Sequence, residues 1–233
     1  MRACLNESPP SPVREVRIWT AHLDALQASD IAHLQPSLDE TERARAARFH
    51  FEKDRRHFIA ARGLLRELVG AMLETSPEFL QFVYGPHGKP AVASPAKDGR
   101  FLRFNLSHSA GWAMFACTWD REVGIDLEST ARLAADDAHL SALAARILST
   151  REFEVWRGLA DSAARHIAFL RAWTRKESYV KAKGQGVFDD LRAVEVIQDA
   201  AMPAASLHVA GAWIIHDLPA PHGFAAALTV AAI

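Results

Sequence analysis

The stretch that decides the fold of this sequence is Trp173-Thr174-Arg175-Lys176-Glu177-Ser178-Tyr179-Val180-Lys181-Ala182-Lys183-Gly184. Apolar residues recur at helical spacing up to Trp173, and a glycine stands where a helix would stop, so the pattern predicts a helix over residues 162–184. On that helix Trp173, Glu177 and Lys181 are four residues apart and lie on one side. The simplest interpretation is an exposed Glu–Lys pair that stabilises the helix by about 0.3 kcal/mol.

A second stretch, residues 124–128, reads Gly-Ile-Asp-Leu-Glu and follows an apolar run over residues 112–117. Two such runs joined by a short polar turn predict a β-hairpin. Asp126 and Glu128 then share one face of the second strand. Two carboxylates there repel each other unless they bind a proton, face water or share a cation. A half-buried strand with its acids in water shows the same alternation, so this stretch alone leaves both interpretations open.

Together the two stretches resemble the paired motifs of the Sfp-type 4'-phosphopantetheinyl transferases, G-[IV]-D-[IL]-E and W-x-x-K-E-[AS]-x-x-K-x-x-G. Every fixed position of both motifs is present, in that order. The resemblance extends over nearly the whole chain. Its further matches are Val16-Arg17-Ile18-Trp19, Arg48-Phe49, Arg62-Gly63-Leu64-Leu65-Arg66, Gly88-Lys89-Pro90, Phe104-Asn105-Leu106-Ser107-His108-Ser109 and Gly223-Phe224-Ala225-Ala226-Ala227-Leu228.

The fold that the resemblance implies is α/β (α+β), with two similar halves, each a small antiparallel sheet with helices, related by a pseudo-two-fold axis. The N-terminal half would span residues 1–115 and bind the phosphates of coenzyme A. The C-terminal half, residues 116–233, would carry the metal and catalytic motifs, with coenzyme A between the halves. Because one chain would contain both halves, we expect a monomer.

Elements of the C-terminal half can also be predicted from local patterns. Ser149 and Glu152 have the spacing of a capping box at a helix start. After the long helix, strand-like runs cover residues 194–197, 207–209, 213–215 and 224–230. A hairpin-rich region is therefore expected to follow a helical centre.

The activity that the resemblance implies is transfer of the phosphopantetheine arm of coenzyme A to a serine of an acyl or peptidyl carrier protein, releasing adenosine 3',5'-bisphosphate. Asp126, Glu128 and Glu177 would bind Mg²⁺, or Mn²⁺, since hard cations prefer carboxylate oxygens. Lys181 and Lys176 would contact the diphosphate. Glu177 would also help to deprotonate the serine, so Glu177, Lys181 and Asp126 are the predicted catalytic residues.

Residues 41–66 carry eight basic and three acidic residues, a local excess of five. Such a segment is either a solvated helix face or a phosphate clamp, because arginine matches phosphate oxygens bidentately. The resemblance favours the clamp. One position that is basic in relatives is Glu42 here, so a different arginine would serve. The residues predicted to bind coenzyme A, besides Lys176 and Lys181, are Arg45, Arg56, Lys89, Ser107 and His108.

Composition restricts the remaining possibilities. The formal net charge of the 233 residues is -1, whereas a general nucleic-acid binder normally carries a basic excess. No stretch reaches the roughly 20 apolar residues of a membrane-spanning helix. Two cysteines, Cys4 and Cys117, do not form a disulfide framework and are typical of a reducing compartment, so we expect a cytoplasmic protein that binds no nucleic acid or membrane. The rival hypotheses are a catalytically silent coenzyme A or nucleotide-binding module and a protein-interaction domain.

Overall fold

The computed structural model describes residues 5–7, 15–133, 137–184, 191–197, 206–209 and 212–232. The chain divides into two compact units: Met1–Gly85 with Pro90–Asp120, and Pro86–Lys89 with Arg121–Ile233. Each unit has a four-stranded antiparallel sheet and a 22-residue helix. The predicted α/β (α+β) class is therefore confirmed. Among the described helices, none is long and apolar enough to cross a membrane.

In its described residues, the first unit contains a four-stranded sheet, a two-stranded ribbon and three α-helices. Its main sheet has the order β1-β2-β6-β5, and β3 pairs with β4. Its core lies between that sheet and the long helix α3, whose buried face includes Leu64, Leu65 and Val69. The elements are β1 (Leu5–Glu7), β2 (Arg17–His22), α1 (Ala28–Leu34), α2 (Glu40–Ala47), α3 (Glu52–Leu73), β3 (Phe82–Tyr84), β4 (Pro90–Val92), β5 (Leu102–Ser109) and β6 (Trp112–Trp119).

The second unit has the sheet order β7-β10-β9-β8, and its long helix α6 packs on β7 and β10. The helix predicted over residues 162–184 is confirmed: α6 ends at Lys183, and Gly184 caps it in the left-handed conformation with φ 67°. The elements are β7 (Val123–Ser129), α4 (Asp137–Ile147), α5 (Thr150–Arg157), α6 (Ser162–Lys183), β8 (Ser206–Val209), β9 (Trp213–Leu218) and β10 (Phe224–Ala231).

The hairpin predicted between residues 112–117 and 124–128 is wrong, although both segments are strands. β6 pairs on one side with β2 and on the other with β5, and β7 pairs with β10. The turn between β5 and β6 is Ala110-Gly111, with φ 42° and 80°. Two positive φ values in a two-residue turn match the right-handed twist of a hairpin. Gly111 was therefore the residue in the sequence that indicated a tight turn between β5 and β6.

The run over residues 194–197 is not a strand either, because side chains rather than a neighbouring strand bind its backbone. Glu152 Oε1 accepts from the amides of Val196 and Ile197 at 2.5 and 3.0 Å. Arg175 Nη1 donates to the carbonyl of Val196 at 2.8 Å. Buried polar backbone needs partners of some kind, and here α5 and α6 supply them.

Gly124 determines how closely α6 approaches β7. A Cβ built on this glycine would lie 2.1 Å from the carbonyl oxygen of Ser178 and 2.3 Å from the amide nitrogen of Ala182. Both neighbours are helix backbone and cannot rotate away. The first residue of the G-I-D-L-E motif is therefore required by packing, and it brings the strand that carries Asp126 against the helix that carries Glu177.

We expect Gly124→Ala to destabilise the protein by about 1–3 kcal/mol, because the methyl group forces backbone apart in a packed core. Chemical denaturation of purified protein measures the change. Gly158→Ala is the matched control: Gly158 has φ -72° and its Cβ would meet only contacts of 3.5 Å. Equal stability of the two variants would contradict this account of the packing.

Candidate active site

The contact between β7 and α6 places an acidic residue of one motif against a lysine of the other. Asp126 is 3% exposed, and its Oδ1 lies 2.6 Å from Nζ of Lys181. Asp126 and Glu128 lie on the same face of β7 as Gly124, the face that α6 covers. The strand therefore does not carry its acids in open water: Asp126 is buried and Glu128 is half-buried. The predicted catalytic residues Asp126 and Lys181 are in direct contact.

Glu177 completes the group from one helical turn before Lys181. It is 8% exposed, and its Oε1 is buried with no hydrogen-bond partner in the described part of the chain. Burial raises the pKa of the Glu177 carboxyl, and the nearby charges of Asp126 and Glu128 raise it further, against the opposing effect of Lys181. Asp126, Glu128, Glu177 and Lys181 thus form one electrostatic group, which we call the acid–lysine cluster.

The residues of this cluster fit a magnesium-type cation by their chemistry. Carboxylate oxygens are hard ligands, a cation would offset the repulsion that raises the pKa of Glu177, and Oε1 of Glu177 has a vacant acceptor site. Over the described ranges, no group of three or more His, Cys, Asp or Glu side chains is already arranged to hold a metal. Mg²⁺ can complete its coordination shell with substrate phosphates and water.

Lys176 does not lie where the motif predicted it. Its Nζ donates to Oε2 of Glu152 at 2.7 Å and to the carbonyls of Leu191 and Val194 at 2.7 and 2.5 Å. Both charged side chains are 0% exposed. An ammonium group has three donors, and all three bind inside the protein. The geometry therefore gives no support to a contact between Lys176 and the diphosphate: this lysine holds the segment before Ile197 against α6.

Lys89, which the resemblance assigned to coenzyme A, has its ammonium group bound inside the protein. Its side chain is 15% exposed, and its Nζ bonds to Glu122 and to two backbone carbonyls. All of these partners belong to the second unit. Direct contact between Lys89 and coenzyme A therefore has no support in the geometry.

The remaining residues predicted to bind coenzyme A lie in the first unit. Arg45 is exposed and its guanidinium lies 5.2 Å from the ring centre of Phe58. Arg56 is half-buried and donates to the carbonyl of Leu26 at 3.1 Å. On β5, Ser107 is buried whereas His108 is exposed, as expected for adjacent residues on opposite faces of a strand. Their roles toward coenzyme A stay predictions.

Glu42, the acidic residue at a position that is basic in relatives, has a structural role here. It is 2% exposed, and its Oε2 accepts from Nε of Arg66 at 2.6 Å. Its Oε1 lies 3.1 Å from Nε of Arg62. Arg66 is 0% exposed and also binds Asp39 at 2.6 Å. Two of the eight basic residues in this segment are therefore internal ion-pair partners, so neither the solvated face nor the phosphate clamp describes the whole segment.

In this α/β protein, the strand motif and the helix motif meet and bring three acids and a lysine together. Comparison with known proteins makes the class more specific. Residues 122–227 match the 4'-phosphopantetheinyl transferase superfamily, and residues 25–120 match the N-terminal domain of 4'-phosphopantetheinyl transferases.

Individual relatives agree with that match. The chain is 38% identical over 217 residues to the 4'-phosphopantetheinyl transferase HetI of Nostoc sp., covering 93% of this chain and 88% of HetI. It is 30% identical over 214 residues to a phosphopantetheinyl transferase of Thraustochytrium sp., covering 88% and 72%. The chain therefore belongs to the 4'-phosphopantetheinyl transferase superfamily and is a transferase.

Among solved structures, a holo-(acyl-carrier-protein) synthase from Bacillus anthracis in complex with CoA (3',5'-ADP) is 23% identical, with a TM-score of 0.36. The alignment covers 47% of this chain and 94% of the synthase. That similarity is too low for a residue-by-residue comparison of the two proteins.

Proposed function

We propose that this protein transfers the 4'-phosphopantetheine arm of coenzyme A to a serine hydroxyl of an apo acyl or peptidyl carrier protein, with Mg²⁺ or Mn²⁺ as cofactor. The observation that carries the proposal is the buried contact between the two motifs, with Asp126 and Lys181 2.6 Å apart and Glu177 beside them. Membership of the superfamily supplies the reaction type.

The reaction is a phosphoryl-group transfer with balanced atoms. The serine oxygen forms a bond to the phosphorus that carries pantetheine, while the bond from that phosphorus to the bridging oxygen breaks. Adenosine 3',5'-bisphosphate leaves with the electron pair. The hydroxyl proton passes to a base, and Glu177 suits that role because its raised pKa makes it a stronger base than an exposed glutamate.

The other members of the acid–lysine cluster have distinct parts in this proposal. Asp126, Glu128 and Glu177 would hold the metal ion, which when bound neutralises charge on the diphosphate. Lys181 is 29% exposed while Asp126 is nearly buried. The ammonium group, which has three N–H donors, donates to Asp126 and is proposed to contact a phosphate oxygen as well. With Lys176 internal, Lys181 is the lysine of the motif that can contact the diphosphate.

The remaining parts of the proposal concern the residues that bind the adenosine part of coenzyme A, and the compartment and oligomeric state of the protein. Arg45, Arg56, Ser107 and His108 would bind the adenosine and its 3'-phosphate, as arginine and histidine commonly do for phosphates. The near-zero net charge supports a protein that binds no nucleic acid. We further propose a cytoplasmic monomer without membrane contact. Cys117, the cysteine within the described residues, is a free and buried thiol. Burial raises the pKa of this thiol to about 12.

Intact-mass spectrometry of an apo carrier protein, incubated with coenzyme A, Mg²⁺ and the transferase, tests the function. We expect a gain of about 340 Da, the mass of one transferred arm, that is lost when a chelator removes the metal. Asp126→Asn should show no gain under the same conditions. Asp98→Asn should behave as the unmodified protein, because Asp98 is half exposed and pairs with Arg100, two residues away.

Two outcomes would favour the rival hypotheses. Coenzyme A binding without any mass gain, across several carrier proteins, would indicate a silent binding module. Binding of an acidic partner protein that is indifferent to both coenzyme A and metal would indicate an interaction domain. A mass gain that survives the chelator would contradict the metal requirement while leaving the transferase assignment intact.

A further inference from the structure

The last turn of α6 has a binding partner that the motifs did not indicate. The carbonyl groups at the end of a helix lack intrahelical partners, and Ala182 lies within the last four residues of α6. Nζ of Lys89 donates to the carbonyl of Ala182 at 2.8 Å. A cation at this end of the helix also interacts favourably with the helix dipole.

The same ammonium group binds the strand on the other side of the acid–lysine cluster. Lys89 Nζ donates to the carbonyl of Val123 at 3.1 Å, at the first residue of β7, and to Oε2 of Glu122 at 2.8 Å. Its aliphatic stem runs beside the helix cap, since a Cβ on Gly184 would lie 3.5 Å from Cδ of Lys89. One side chain therefore connects the end of α6 to the start of β7.

These contacts involve residues that are close to the predicted catalytic residues in sequence. Ala182 follows Lys181 directly, and Val123 precedes Asp126 by three residues on the same strand. Nζ of Lys181 lies 2.6 Å from Oδ1 of Asp126. Any movement of the last helical turn relative to β7 would change that distance, and small displacements of groups that act on a transition state can reduce rates up to about 100-fold.

We infer that Lys89 is a positioning residue for the phosphopantetheinyl transfer: it fixes the last turn of α6 against β7 and so holds Lys181 at Asp126. The expected effect on kcat rests on the proposed function, whereas the expected effect on the mobility of the last turn of α6 does not. It replaces the expectation from sequence that Lys89 binds coenzyme A directly. If Lys89 positions α6, a change at Lys89 should alter the mobility of the last helical turn; if it binds coenzyme A directly, the change should alter the Kd for coenzyme A.

Lys89→Met, which keeps the stem and removes the donors, separates the roles. We expect faster hydrogen exchange for amides of residues 180–184 with unchanged exchange over residues 162–170. We also expect kcat to fall by about tenfold, while the Kd for coenzyme A measured by calorimetry stays within about twofold. Lys97→Met is the matched control, since Lys97 is 83% exposed and pairs with Glu74 at 3.4 Å.

A second variant isolates the backbone contacts from the ion pair. Glu122→Gln keeps an acceptor beside Lys89 and leaves the bonds to Ala182 and Val123 in place, so exchange and kcat should remain close to those of the unmodified protein. Weaker binding of coenzyme A by Lys89→Met with unchanged exchange at residues 180–184 would overturn the inference in favour of direct contact. Unchanged exchange together with unchanged kcat would overturn it as well. Absence of transfer by the unmodified protein would instead refute the proposed function, and the exchange measurement would still decide the role of Lys89.

Discussion

Replacing Glu177 with glutamine is expected to lower kcat for phosphopantetheine transfer by about 100-fold or more, the usual contribution of general acid–base catalysis, while the protein remains folded. The change removes one negative charge from a site where Asp126 and Glu128 already repel it. Oε1 of Glu177 has no hydrogen-bond partner among the described residues, so no internal bond to that oxygen is lost. The free energy of unfolding should therefore stay the same or increase slightly.

Single-turnover transfer to an apo carrier protein, followed by intact mass, measures the rate, and thermal unfolding measures the stability. Glu154→Gln is the control, because Glu154 is 55% exposed and pairs with Arg157 one turn along its own helix. A Glu177→Gln variant that is both fully active and as stable as the control would remove Glu177 from the mechanism. Loss of activity accompanied by unfolding would show that the carboxyl is structural instead.

The raised pKa of Glu177 also predicts the direction of the pH dependence. A base must be deprotonated to accept the serine proton, so activity should fall as the pH drops through the pKa of Glu177. Burial and the neighbouring acids raise that pKa in the absence of a cation, and a bound cation opposes the shift, so the limb is identified by its loss in the variant and not by its position. The pH profile of Glu177→Gln should lack this limb, and a profile that retains it would assign the titration to another group.

Local patterns in the sequence were sufficient to predict helix α6 and a strand over residues 124–128, because both depend on the periodicity of nearby apolar residues. Motif resemblance placed Asp126, Glu177 and Lys181 together, and the structure brings them together. What periodicity could not provide was strand pairing. β6 and β7 are adjacent in sequence yet belong to different sheets, since pairing depends on which strand edges are already occupied.

Charged side chains were the second point at which prediction from sequence failed. Lys176 and Lys181 occupy the same motif, but one is 0% and the other 29% exposed. Glu152 was recognised only by its spacing from Ser149 as a capping residue, and it forms that capping box. Its second role, as the partner of Lys176, depends on the packing of α5 against α6. The sequence alone does not show which lysine forms an ion pair with a buried carboxylate.

Lys176, the buried lysine of the motif, is expected to stabilise the fold. Lys176→Met should lower the free energy of unfolding by about 3–5 kcal/mol, because it leaves the charge of Glu152 buried without its cation. The carbonyls of Leu191 and Val194 also lose their donor. For a chain of this size the melting temperature should fall on the order of 10 °C. Chemical and thermal denaturation of purified variants measure the change.

Lys183→Met is the matched control on the same helix: Lys183 is exposed, with its ammonium 5.3 Å from the ring centre of Tyr179. We expect that variant to lose less than about 1 kcal/mol. At temperatures where Lys176→Met remains folded, its transfer rate should stay close to that of the unmodified protein, since Nζ of Lys176 donates to Glu152 and to the carbonyls of Leu191 and Val194. A stable but inactive Lys176→Met variant would restore the diphosphate role that the motif suggested, because only a lysine acting on the substrate would impair catalysis without impairing the fold.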